Sequence, residues 1–261
     1  MATAFPALDL FLARTLEVLK TDERIEAVLV AGSAIQRTTD RFSDLDLVIV
    51  CRESAYAGLL EERRVIASSL GPLLAAFTGE HVGEPRLLIC LFDAPLLHVD
   101  LKFVTREALD QRVETPRIAF DRGGHMPAML AAGTAVWPAR APEWFEERFW
   151  IWMHYGAAKI ARGELFEAHD LLAFVRSQVL GPMLARNGGR RQRGVRQVEF
   201  EVPRHVEELA ATIPRYDPAD CWRALRATID LYRHYRRPFP PTNHRERTEQ
   251  AVTAFIAMHG G

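Results

Sequence analysis

The chain has 261 residues, 48% of them apolar, enough for one large or two modest domains that each bury a core. Its 33 basic and 34 acidic residues nearly cancel, so no overall charge draws it to nucleic acid or to an anionic membrane. No apolar run reaches bilayer length, and Asp9, Arg14 and Glu17 break up the first twenty residues, which excludes a secretory signal and leads us to expect a cytoplasmic protein.

In chain order, an amphipathic helix is expected near 6–20, followed by a strand over 26–31 that runs into Gly32-Ser33. Ala34-Ile35-Gln36-Arg37 then reads as the first turn of a short helix. A second strand covers 44–50, a helix about 54–70 ends at Gly71-Pro72, and strands at 86–92 and 96–104 flank the tight connection Asp93-Ala94-Pro95. After Glu114-Thr115-Pro116 and the Gly-Gly stretch at 121–128 the strand signal mostly stops. Helices follow at roughly 142–162, 165–186, 203–213, 218–236 and 243–258, separated by Pro and Gly. The expected fold is α+β, a small mixed-sheet domain over 1–120 followed by an all-helical domain over 140–261.

The chemistry concentrates on carboxylates in apolar strands. In Asp44-Leu45-Asp46-Leu47-Val48-Ile49-Val50 the acids are two apart, so they project to one face. Neighbouring carboxylates on an otherwise buried strand repel each other and lose hydration unless a cation compensates them. A hard oxygen-seeking ion suits them, and Mg2+ is commonly held by one or two carboxylates plus phosphates of a substrate. Asp100 alternates with Val99 and Leu101 and joins the same face if its strand pairs beside the first, completing a site for two ions. Upstream, Gly32 allows close backbone approach to a phosphate and Ser33 offers a hydroxyl and an N–H.

Gly32-Ser33, ten intervening residues, Asp44-Leu45-Asp46 and the later strand Asp100 resemble the signature of the DNA polymerase beta-like nucleotidyltransferase superfamily. Within it, a small amino-terminal domain followed by a helical half is similar to bacterial antibiotic adenylyltransferases acting on aminoglycosides and lincosamides. Arg117-Ile118-Ala119-Phe120-Asp121-Arg122-Gly123 also resembles the closing strand and turn of that domain. The resemblance implies a nucleotidyltransferase that moves a nucleoside monophosphate, AMP from ATP or its counterpart from another triphosphate, to a small-molecule hydroxyl. It implies Asp44, Asp46 and Asp100 as catalytic metal ligands for two Mg2+ ions, and Gly32, Ser33 and Lys159 as nucleotide contacts. Two other readings stand beside it: an antitoxin-type nucleotidyltransferase with a protein partner, against which the long helical half argues, and an enzyme adding nucleotides to RNA ends.

In the helical half, Trp152, Tyr155 and Lys159 share a helix face. They read either as aromatic packing around a substrate with Lys159 on the triphosphate, or as a core stripe whose lysine reaches solvent. Glu164, Glu167 and Asp170 form an acidic cluster that suits an amine-bearing acceptor or a general base, and equally suits the first turn of a helix. The basic run from Arg186 to Arg196 lacks interleaved aromatics, which argues against nucleic acid. His98 lies two residues from Asp100 on the same strand face. Cys51, Cys90 and Cys221 are widely spaced in apolar surroundings and read as reduced core residues.

Overall fold

The structure, a computed structural model, describes residues 6–35 and 40–260, and the side chains of Ser33 and Ala34 lie outside the described set. The chain packs as two units that divide between Trp137 and Pro138.

In the first unit, helices α1 (Pro6–Leu19) and α2 (Tyr56–Leu70) accompany strands β1 (Ile25–Val30), β2 (Leu45–Cys51), β3 (Leu73–Gly79), β4 (Glu84–Phe92), β5 (Leu97–Thr105) and β6 (Arg117–Asp121). The strands form one six-stranded sheet in the order β3-β4-β5-β2-β1-β6. β2 and β5 run parallel, and the other neighbours are antiparallel. A parallel pair needs a long crossover, which α2, β3 and β4 supply between β2 and β5.

Alternation along the strands decides what each face of the sheet does. Val28, Val30, Leu45, Leu47, Ile49, Val99, Leu101 and Phe103 point to one face, where Leu8, Phe11 and Leu19 of α1 and Leu59, Ala67 and Leu70 of α2 bury them. Each such side chain contributes about 1.5–3 kcal/mol of burial, so this face carries most of the unit's stability. On the opposite face Ala27, Leu29, Val50 and Val104 pack under Leu109 and under Met126 of α3 (Met126–Ala132). The rest of that face, including Asp46, Val48, Asp100 and Lys102, stays half-buried. Polar chemistry is therefore confined to the side of the sheet away from α1 and α2.

The sequence reading places no strand between Pro72 and Arg86, and β3 lies there. Its alanines and terminal glycine carry little strand preference; its pairing with β4 at the sheet edge fixes it. The closing strand expected at 117–123 forms as β6, hydrogen-bonded to β1.

The second unit is helical: α4 (Pro142–Ala161), α5 (Leu165–Val175), α6 (Gly181–Asn187), α7 (Val198–Glu201), α8 (Val206–Ala210), α9 (Pro218–Arg236) and α10 (Glu246–His259). A π-helical turn, Arg176–Leu180, joins α5 to α6, so the expected helix over 165–186 runs on with one irregular turn. Asp217 starts α9 by accepting the N–H of Asp220, with Pro218 in the first turn, where its missing N–H costs nothing. Apolar residues of α4 at helical spacing meet α9, and Phe149 stacks on Tyr232 with ring centroids 3.7 Å apart. Glu146, 1% exposed, accepts hydrogen bonds from Trp150, Tyr232, Arg236 and the N–H of Arg245. Burial pushes its carboxyl up, but these donors prevail and hold it below the usual carboxylate range. Among the described residues no helix is long and apolar enough to cross a membrane.

Candidate active site

The acidic site is assembled by strand register. In the parallel ladder Asp46 lies opposite Asp100, with Leu45 opposite Val99 and Leu47 opposite Leu101. Because both strands alternate in phase, Asp46 and Asp100 share the half-open face while their flanking leucines and valine enter the core. Asp44, expected as the first residue of this strand, instead immediately precedes β2, which begins at Leu45, and its charge acts on Asp100. Burial pushes the Asp100 carboxyl up; His98 opposes this, and Asp44 adds to it. His98 Nε2 stands 3.0 Å from Asp100 Oδ1, with the histidine half exposed at 52% and the aspartate at 20%. The histidine thus satisfies a carboxylate that the fold has partly stripped of water.

β1 brings the glycine-serine turn to the same place. Its neighbour β2 continues the contact through the Ala31 N–H, which donates to the carbonyl of Asp46 at 2.9 Å. Gly32 opens a short 3-10 turn, Gly32–Ile35, with φ of +64°. A β-carbon on Gly32 would stand 1.8 Å from Asp46 Oδ2, so only glycine lets the turn lie against that carboxylate. The hydroxyl expected of Ser33, and the residues Gln36 and Arg37 of the expected helix turn, lie outside the described residues.

Glu114 is the residue that sequence reasoning passed over. Its Oε1 accepts the Gly32 N–H at 2.7 Å. In the sequence it marks only the end of the strand signal, and no local spacing links it to a glycine 82 residues earlier. The link comes from β6 returning beside β1, with Arg117 opposite Val30.

The donor set suits a hard dication, since Asp44, Asp46 and Asp100 offer only oxygen and the raised Asp100 would gain from added positive charge. No group of three acidic, histidine or cysteine side chains among the described residues is already gathered closely enough to cage an ion. Mg2+ does not require such a cage, because substrate phosphates and water complete its shell.

Lys159 belongs to the second unit, on α4. Its ammonium lies 2.6 Å from Glu164 and 2.7 Å from Glu167, and its side chain is only 14% exposed. Its charge also sits 5.1 Å from the Tyr155 ring, and the Tyr155 hydroxyl donates to Glu167. Two members of the expected acidic cluster therefore embrace the lysine, while Asp170 is exposed further along α5. Trp152 is partly buried and packs edge-on against Trp144 and Phe174 at the margin of the helical core. In the basic run, Arg190 pairs with Glu201 and Arg186 lies over the Phe239 ring. The cysteines are free and buried, and burial pushes Cys51 and Cys90 up to about 12.

The model of the streptomycin adenylyltransferase family matches residues 9–255. The chain belongs to that family. It is a nucleotidyltransferase enzyme, and the match runs through the sheet unit and the helical unit alike. Among solved structures, an aminoglycoside 6-adenyltransferase from Bacillus subtilis is similar, at 17% identity and a TM-score of 0.43, covering 96% of this chain and 98% of that one. A nucleotidyltransferase-like protein from Exiguobacterium sibiricum is similar at 11% identity and a TM-score of 0.37, covering 84% of this chain and 72% of that one. No curated protein sequence matches the chain.

Proposed function

We propose that this member of the streptomycin adenylyltransferase family transfers AMP from ATP to a hydroxyl of an aminoglycoside such as streptomycin, with Asp44, Asp46 and Asp100 as its catalytic carboxylates. The observation that carries the reading is the register pair Asp46 and Asp100, two acids side by side on a half-open sheet face that Gly32 closes from one edge. The acceptor oxygen forms a bond to the α-phosphorus, the bond from that phosphorus to the bridging oxygen breaks, and pyrophosphate leaves. Asp100 takes the hydroxyl proton. Mg2+, held by the three carboxylates and the nucleotide phosphates, would supply a lowered hydroxyl pKa and neutralise the leaving group.

The chain's own contribution is positioning and electrostatics. Gly32 and Ser33 receive the phosphates. Glu164 and Glu167 are available to a cationic acceptor only in exchange with Lys159, which they now hold. A family match extending to residue 255 supports this reading over an antitoxin of minimal size or an enzyme of RNA ends, neither of which it suggests. The test is incubation with α-labelled ATP, Mg2+ and a panel of aminoglycosides and lincosamides. Label on streptomycin supports the proposal; label on none of the panel refutes the acceptor class.

A further inference from the structure

Gly32 is held from two directions at once. Its N–H is bound by the Glu114 carboxylate at 2.7 Å, and its α-carbon stands against Asp46 Oδ2 with no room for a side chain between them. The Asp46 backbone carbonyl is tied in turn to the Ala31 N–H. The backbone of residues 31 and 32 therefore forms one wall for the Asp46 carboxylate, and Glu114 is the side chain seen to brace that wall from outside. Glu114 can do this because the chain entering β6 runs back along the end of β1, placing residues 114–116 beside the turn.

We propose that Glu114 is a positioning residue for the transfer reaction: it fixes the Gly32 peptide, and through it the orientation of Asp46 toward the nucleotide phosphates. This rests on the function proposed above. A carboxylate accepting a backbone N–H holds it more firmly than a neutral group does. Yet the role asks only for a well-placed acceptor oxygen, which the Gln side chain also carries, and not for a charge that touches substrate.

The test compares Glu114→Ala and Glu114→Gln with the wild type in steady-state transfer of labelled AMP and in direct binding of a non-hydrolysable ATP analogue with Mg2+. Loss of a supporting partner of this kind costs roughly 10–100-fold in activity or metal affinity. Glu114→Ala should lower kcat and raise both the KM for nucleotide and the Mg2+ concentration at half-maximal rate, while leaving the KM for acceptor alone. Glu114→Gln should recover most of the loss. Hydrogen exchange at the Gly32 amide, read by NMR, should be fast in the alanine variant and slow in the other two proteins.

If the alanine variant has wild-type kcat and nucleotide KM, the proposal is overturned and the function proposed above stands. If the glutamine variant is as impaired as alanine while its Gly32 amide stays protected, Glu114 acts directly as an acid and the positioning role is overturned. If the wild type neither binds the analogue nor transfers AMP, both the function and this role fail.

Discussion

Asp46 and Asp100 are partners in the parallel β2–β5 ladder, so strand register alone sets two carboxylates side by side on the half-open face of the sheet. The cost of that arrangement is visible at Asp100, where burial raises the carboxyl and Asp44 raises it further.

Asp100→Asn should consequently separate activity from stability. A carboxyl whose pKa is higher in the folded chain than in the unfolded one penalises folding once pH rises through the folded value, and the penalty is absent below the unfolded value. The variant should melt at the same or a higher temperature than wild type at pH 7, with the difference vanishing near pH 3. AMP transfer should fall by a factor of about 100 or more, the scale on which removal of a catalytic charge-stabilising group acts. Calorimetry at both pH values and a labelled-ATP assay check the two halves.

Gly32→Ala and Gly58→Ala make a matched pair. At Gly32, φ of +64° and the 1.8 Å approach to Asp46 Oδ2 oppose any side chain. Gly58 lies inside α2 with no heavy atom within 4 Å of a β-carbon there. Alanine at 58 should stabilise by about 0.5–1 kcal/mol with unchanged turnover. Alanine at 32 should destabilise by about 1–2 kcal/mol from the left-handed backbone and greatly reduce turnover by displacing Asp46. Denaturant titration and the transfer assay distinguish the two.

Lys159→Gln tests the helical unit's share in binding nucleotide. Its partners Glu164 and Glu167 are 39% and 45% exposed, so loss of the ion pairs should cost no more than about 1 kcal/mol of stability. If the lysine meets the triphosphate, the KM for ATP should rise several-fold, with a larger effect at low ionic strength than at high, since salt screens the interaction. Unchanged kinetics at both salt concentrations would assign Lys159 to α4–α5 packing alone.

Much of this architecture is legible in the sequence because it follows from short-range pattern. The Val, Ile and Leu runs around Asp46 and Asp100 are strands, and the helical spacing after Pro142 gives α4 and α9 nearly to the residue. β3 escaped because Ala75 and Ala76 carry no periodic signal and the pairing with β4 imposes the strand. Glu114 escaped for a related reason: its partner is 82 residues away, and only the return of β6 alongside β1 brings them together. The embrace of Lys159 by Glu164 and Glu167 was not read either, although the lysine ends one helix and the acids begin the next. Helix faces show which residues of one helix are neighbours, and not which side chains pair across a turn.

AMP transfer is proposed to take place on the half-open acidic face of the sheet. The most direct measurement is the rate of label transfer from α-labelled ATP to streptomycin, in the presence of Mg2+, by the wild type and by Asp46→Asn with its melting temperature confirmed. Measurable transfer is expected from the wild type and a loss of about 100-fold or more in the variant, with an unchanged or slightly raised melting temperature. Near-normal transfer by Asp46→Asn would contradict it.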